Sequence, residues 1–129
     1  MNRNLILAII AIIILAGGGI YLNSNRNKSA PVAVTQKEDV KIFTISASSF
    51  KFQPSEIRVD KGDRVKIVLN NTKGFHDWVI DEFDARTKQI QGPAKETVEF
   101  TADKTGTFEY YCSVGQHRQN GMVGKLIVE

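Results

Sequence analysis

The sequence is poor in the residues that usually staple small domains or carry their chemistry. One cysteine (Cys112), two histidines (His76 and His117) and, apart from the initiator Met1, one methionine (Met122) occur in 129 residues. A single cysteine cannot close an internal disulfide, so the fold must rest on a packed apolar core. So small a stock of cysteine and histidine argues against structural zinc sites, which draw several of both and have no use for methionine. Charge of one sign is also missing. Residues 1–30 hold Arg3, Arg26 and Lys28 and no acid, so the net charge of +3 lies wholly there, and residues 31–129 carry 14 basic and 14 acidic residues. A neutral domain offers no basic face for nucleic acid, and no nucleic-acid partner is expected.

Long apolar runs are confined to the N-terminus. Leu5 to Leu22 runs for 18 residues without a charge, the lower edge of the roughly 17–25 residues that span a bilayer. A short basic start (Arg3), an apolar centre and the small residues Ala16-Gly17-Gly18 also fit a cleavable secretory signal. Continuation of the run to Leu22 favours a retained anchor. On either reading this segment makes the membrane a partner. Arg3 on one side and Arg26 and Lys28 on the other leave the positive-inside bias balanced. The expected organisation is a signal-anchor or transmembrane helix over 1–22, a flexible polar linker over 23–39, and one domain over 40–129.

The domain reads as strand almost throughout. Ile57 and Val59 alternate with Arg58; Val65, Ile67 and Leu69 alternate with Lys66 and Val68; Phe50 and Phe52 flank Lys51. Turn residues separate these runs at Gln53-Pro54-Ser55, Lys61-Gly62-Asp63, Asn70–Gly74, Gln91-Gly92-Pro93 and Asp103–Gly106. Seven or eight short strands without a helical period predict an all-β antiparallel sandwich. The acidic group Asp81, Glu82 and Asp84 lacks the spacing and glycine of a calcium loop and reads as a solvated turn.

Three of the four scarce residues share one stretch, Cys112-x4-His117-x4-Met122, between two strand patterns; His76 lies 36 residues before Cys112, after the Asn70–Gly74 turn. Each alone is an ordinary core or surface residue. Together they make two imidazoles, one thiolate and one thioether on a strand–loop–strand unit, and a second turn at the same end of a sandwich can join them. That is the donor set of a blue-copper electron-transfer site, with His76, Cys112 and His117 as strong ligands and Met122 as the weak axial one. One copper ion cycling between Cu(I) and Cu(II) is therefore the expected cofactor. A binuclear copper centre would need a second cysteine. A Cys–His catalytic pair would leave Met122 and the second histidine unexplained. No further histidines exist for a catalytic copper, so no enzyme activity is expected.

On these residues the chain resembles the cupredoxins, the blue, type-1 copper family of plastocyanin, azurin and rusticyanin. The resemblance covers about 40–129 and is most specific over Gly106–Glu129, where Gly106–Cys112 looks like the strand leading to the cysteine ligand and Met122–Val128 like the closing strand. Asn70–His76 looks like the turn delivering the first histidine. The Cys-x4-His-x4-Met loop is closer in length to rusticyanin and the phytocyanins than to plastocyanin. The resemblance implies a Greek-key β-sandwich or barrel of seven to eight strands and a monomeric carrier of single electrons. It also implies a place outside the cytoplasmic membrane, anchored or periplasmic. Redox proteins would dock transiently at His117, within an apolar collar of Val114, Gly115, Gly121 and Met122; Arg118 beside it either biases the choice of partner towards acidic surfaces or, as is commoner for an exposed Arg, serves only solvation. Copper delivery without electron transfer, and a metal-free interaction module, are the alternatives.

Around the ligands, Asp77, Ser113 and Asn71 are candidate supporting residues. Asp77 stands where many cupredoxins have Asn or Ser. Its carboxylate either lies near the copper and lowers the reduction potential, or points outward and leaves the metal alone. Ser113 is placed to hydrogen-bond back to the first-histidine turn. Trp78, two residues from His76, shares its strand face and is expected in the core.

Overall fold

The computed structural model describes residues 39–129; the anchor expected over 1–22 and, but for Asp39, the linker expected over 23–39 lie outside them. Eleven strands follow one another: β1 Val40–Ser48, β2 Lys51–Gln53, β3 Glu56–Val59, β4 Arg64–Asn71, β5 Phe75–His76, β6 Val79–Ile80, β7 Ala85–Arg86, β8 Ile90–Gln91, β9 Ala94–Thr101, β10 Gly106–Tyr111 and β11 Val123–Val128. One 3-10 turn, Asp81–Phe83, is the only helical element among the described residues, and no helix there is long and apolar enough to cross a membrane. The exposed Asp81, Glu82 and Asp84 lie on or beside that turn, as their solvated reading requires.

Two sheets face each other across the core. One runs β2-β1-β4-β9 and the other β3-β11-β10-β6-β7, with β5 and β8 paired separately. The strict alternation of β4 turns Val65, Ile67 and Leu69 inward, where they meet Ile45 and Ala47 from β1 and Ile57, Tyr110 and Leu126 from the opposite sheet. Each such side chain contributes roughly 1.5–3 kcal/mol on leaving water. Trp78 is fully buried between Phe100, stacked at 6.0 Å, and Tyr110 at 5.4 Å, which is the core position expected of it.

The sandwich is not purely antiparallel, contrary to expectation. β1 pairs with β4 in parallel from Val40↔Arg64 to Ala47↔Asn71, and β3 pairs with β11 in parallel. Side chains alternate with period two in either orientation, so the sequence pattern carries no sign of strand direction. The excursion through β3 in the other sheet brings the chain back to β1 running the same way.

A second correction concerns Phe50. The alternation Phe50-Lys51-Phe52 predicts both rings on one strand face. Ser49 and Phe50 instead take left-handed backbone angles (φ 40 and 62), making a tight turn between β1 and β2. Phe52 enters the core at 3% exposure while Phe50 stays 43% exposed. Primed hairpin turns usually carry Asn or Gly at such positions, and neither is present here.

Candidate metal centre

Hairpin β10–β11 positions three of the scarce residues. Cys112 follows β10 and Met122 precedes β11, and the Cys112 amide donates to the Met122 carbonyl at 3.1 Å, closing the loop between them. Inside that loop the His117 amide donates to the Val114 carbonyl (3.0 Å), and the Met122 amide to the His117 carbonyl (2.9 Å). The backbone is thereby folded over itself, with His117 at its crest.

His76 arrives from a distance in sequence because β6 lies beside β10, in register at Val79↔Tyr111. Asp77 completes the tie: its carboxylate accepts from the Ser113 amide (2.6 Å) and the Ser113 hydroxyl (2.5 Å). Asp77 is buried at 3% exposure, so it does not point outward. It joins the residue after His76 to the residue after Cys112, as Ser113 was placed to do. Asn71, 1% exposed, braces the turn itself, donating to the carbonyls of Gly74 (2.9 Å) and Ile90 (2.8 Å) while accepting from the Lys73 amide (3.2 Å). Gly74, at φ +86, lies so close to His76 that a Cβ there would come within 2.9 Å of Nε2.

The donor atoms converge. The Nδ1 atoms of His76 and His117 are 3.2 Å apart, and the Cys112 sulfur lies 3.8 Å from the first and 3.5 Å from the second. A point equidistant from all three lies about 2 Å from each, close to ordinary metal–imidazole bond lengths. His76 Nε2 sits 3.1 Å from the Lys73 carbonyl. A carbonyl only accepts, so Nε2 carries the proton and the Nδ1 lone pair faces the other donors. Met122 is fully buried at the base of the same loop.

Burial keeps His76 and Cys112 neutral until a cation arrives. Burial, reinforced by the neighbouring His117, lowers the His76 pKa and favours neutral imidazole. Burial pushes the Cys112 thiol up, so it holds its proton in the absence of a positive charge. One thiol and two imidazoles at these separations suit copper: the sulfur favours Cu(I), and the imidazoles also accept Cu(II).

The surface above the cluster differs from the expected collar. Met122 is fully buried and takes no part in it. The half-buried His117 ring is instead met edge-on by Phe50, with centroids 4.8 Å apart and an interplanar angle of 89°. Phe50, Lys73, Phe75 and Val114 surround a shallow depression with the two histidines at its floor. Phe75 is 42% exposed. Sequence reasoning passed over both phenylalanines as strand residues. The signal that would have found Phe50, a turn without a glycine, is a weak one.

Comparison with known proteins agrees with the architecture. A family profile described as "Cupredoxin-like domain" matches residues 7–128. The chain is 40% identical over 94 residues to the plastocyanin minor isoform, chloroplastic, of Arabidopsis thaliana, an alignment covering 63% of this chain and 52% of that protein. It is 33% identical over 92 residues to plastocyanin of Sambucus nigra, covering 62% and 89% respectively. The chain thus spans about half the length of the Arabidopsis relative. Among solved structures, auracyanin A, titled a "blue" copper protein from Chloroflexus aurantiacus, superposes with a TM-score of 0.63 at 22% identity, over 70% of this chain and 100% of that one. Auracyanin B superposes with a TM-score of 0.64 at 18% identity, over 74% and 93%. At such identities the two auracyanins speak for the fold alone.

Proposed function

This chain belongs to the cupredoxin-like family, and from that premise we propose that it is a blue-copper protein carrying single electrons between redox proteins. The observation that carries the reading is the convergence of His76 Nδ1, His117 Nδ1 and the Cys112 sulfur, 3.2 to 3.8 Å from one another. His76, Cys112 and His117 would hold the ion, and Met122, buried beneath the same loop, would supply a weaker thioether ligand. Copper bound there supplies the redox chemistry, holding the transferred electron as Cu(I) and lacking it as Cu(II).

The protein's own contribution is rigidity and access. The Lys73 carbonyl fixes the His76 tautomer. The Asp77–Ser113 bonds pin the His76 strand to the Cys112 loop. Backbone bonds from Cys112, His117 and Met122 close the loop on itself. Donors held this way move little between oxidation states, which keeps transfer fast. His76, Cys112 and Met122 are buried while His117 is half-exposed. The His117 ring edge is the exit for the electron, and brief encounters there need only a small patch. With the N-terminal segment as anchor or signal, the domain works on the outer side of the cytoplasmic membrane.

Titration of the full chain with Cu(II), followed by visible absorption, tests this. An intense band that ascorbate bleaches and that Cys112→Ser abolishes is expected. A colourless protein, or a band indifferent to Cys112, would refute it.

A further inference from the structure

The exposed face around His117 has an uneven charge. The segments that build it, 48–51, 72–76, 87–93 and 113–121, contain Lys51, Lys73, Lys88 and Arg118 and no acidic residue; the one acid beneath them is the buried Asp77, bonded to Ser113. The rest of the described domain carries nine basic and thirteen acidic residues. A domain neutral overall is therefore polarised, positive at the end that exposes His117. Arg118 is held back along β10: its guanidinium bonds Glu109 and lies 3.8 Å from the centre of the Tyr111 ring. Its charge is met by Glu109, so the lysines carry the net positive charge of this face. The three lysines are all exposed and make no ion pair among the described residues. Lys51 follows Phe50, Lys73 lines the depression itself, and Lys88 precedes Gln89, whose amide reaches the Ser113 hydroxyl at 3.3 Å.

Phe50 sharpens the picture. A phenylalanine in the left-handed region costs roughly 1 kcal/mol relative to glycine, and this ring stays 43% exposed. One side of the ring packs against His117, and its exposed remainder adds apolar surface beside the imidazole, available to a molecule that covers His117.

We infer that this face docks a redox protein whose own docking surface is acidic around an apolar centre, with Phe50 and Phe75 meeting the apolar centre and Lys51, Lys73 and Lys88 the acidic rim. The inference rests on the electron-carrier reading and adds the chemistry of the partner to it. A second copy presenting the same face would bring lysines against lysines, so charge complementarity opposes a symmetric dimer through this face.

Two anionic probes test it on the full chain in a neutral detergent. Hexacyanochromate(III), a redox-inert paramagnetic trianion, should broaden the amide signals of Phe50, Lys73, Val114 and Gly115 in the copper-free protein. Broadening centred elsewhere would overturn the inference. In the copper-loaded, reduced protein, one electron passes from Cu(I) to hexacyanoferrate(III), giving Cu(II) and hexacyanoferrate(II). Raising the ionic strength from about 10 mM to about 300 mM should slow this about tenfold. Lys51→Glu/Lys88→Glu should slow it several-fold at low salt. Lys61→Glu/Lys125→Glu, the same charge change on other surfaces, should alter it less than twofold. Equal effects of the two double variants would overturn the inference while leaving the electron carrier intact; loss of the blue band in the unmutated protein would instead remove the carrier reading. The rates in phosphatidylglycerol and phosphatidylcholine vesicles cover the remaining occupant. Slowing towards hexacyanoferrate(III) and a cationic cobalt(III) complex alike in the anionic bilayer, relieved by Lys51→Glu/Lys88→Glu, would assign the face to lipid and overturn the proposal.

Discussion

Asp77→Ala should loosen the centre far more than its distance from the surface chemistry implies. The buried Asp77 carboxylate takes two short bonds, 2.6 Å from the Ser113 amide and 2.5 Å from the Ser113 hydroxyl, and these join the His76 strand to the Cys112 loop. Hydrogen bonds to a charged acceptor contribute about 1.5–3 kcal/mol each. Ser113 is half-buried, so water re-solvates part of what is lost, and the expected cost is about 3 kcal/mol for the pair. In a domain of this size that is a fall in Tm of roughly 15 °C. Ser113→Ala keeps the amide bond and should cost only about 1.5 kcal/mol, and the double variant should be little worse than Asp77→Ala alone. Thermal unfolding of the metal-free chains by circular dichroism, arranged as a double-mutant cycle, gives the coupling directly. Additive effects, or an Asp77→Ala protein within about 0.5 kcal/mol of the original, would refute the idea that this carboxylate clamps the two halves of the site. Asp77→Asn separates clamp from charge: it keeps the amide bond, and removing the negative charge should raise the reduction potential of the copper-loaded protein.

Copper uptake should strengthen with pH. Burial raises the Cys112 pKa, so binding must release the thiol proton, and affinity measured with a competing chelator should rise about tenfold per pH unit below that pKa; a pH-independent affinity would exclude thiolate ligation. Stability of the metal-free protein should fall on acidification below about pH 6.5. The His76 pKa lies below its unfolded value of 6.5, so the unfolded chain binds protons first; urea midpoints across pH 5–8 measure this, and His76→Gln should flatten the slope. Gly124→Ala should destabilise by about 2 kcal/mol, because a Cβ there would run into the buried Tyr110 ring, which also donates to the Pro54 carbonyl at 2.8 Å; Tyr110→Phe in the same background should recover part of the loss in chemical denaturation. At position 50, glycine should be more stable than alanine by about 1 kcal/mol, because φ is 62 there; equal stabilities would mean that the turn relaxes.

The sequence by itself determined what could be read over short distances. Strand alternation located the core residues of β4, since period two decides which side chains point inward whatever they pair with. Cys112, His117 and Met122 were legible as one unit because at most ten residues of hairpin loop separate them, and the backbone bonds of that loop are local. Trp78 reached the core as expected but not through alternation, since 76–80 are all buried and it lies between β5 and β6. Tertiary structure decided the rest, because those features depend on which distant segments meet. The parallel pairing of β1 with β4 left no trace in a pattern blind to direction. The approach of His76 to Cys112 needed β6 set beside β10. The same placement chose between the two readings of Asp77, whose carboxylate turned inward because the Ser113 amide and hydroxyl were there to meet it. Phe50 reached His117 only because the β1–β2 turn took left-handed angles that its sequence does not announce.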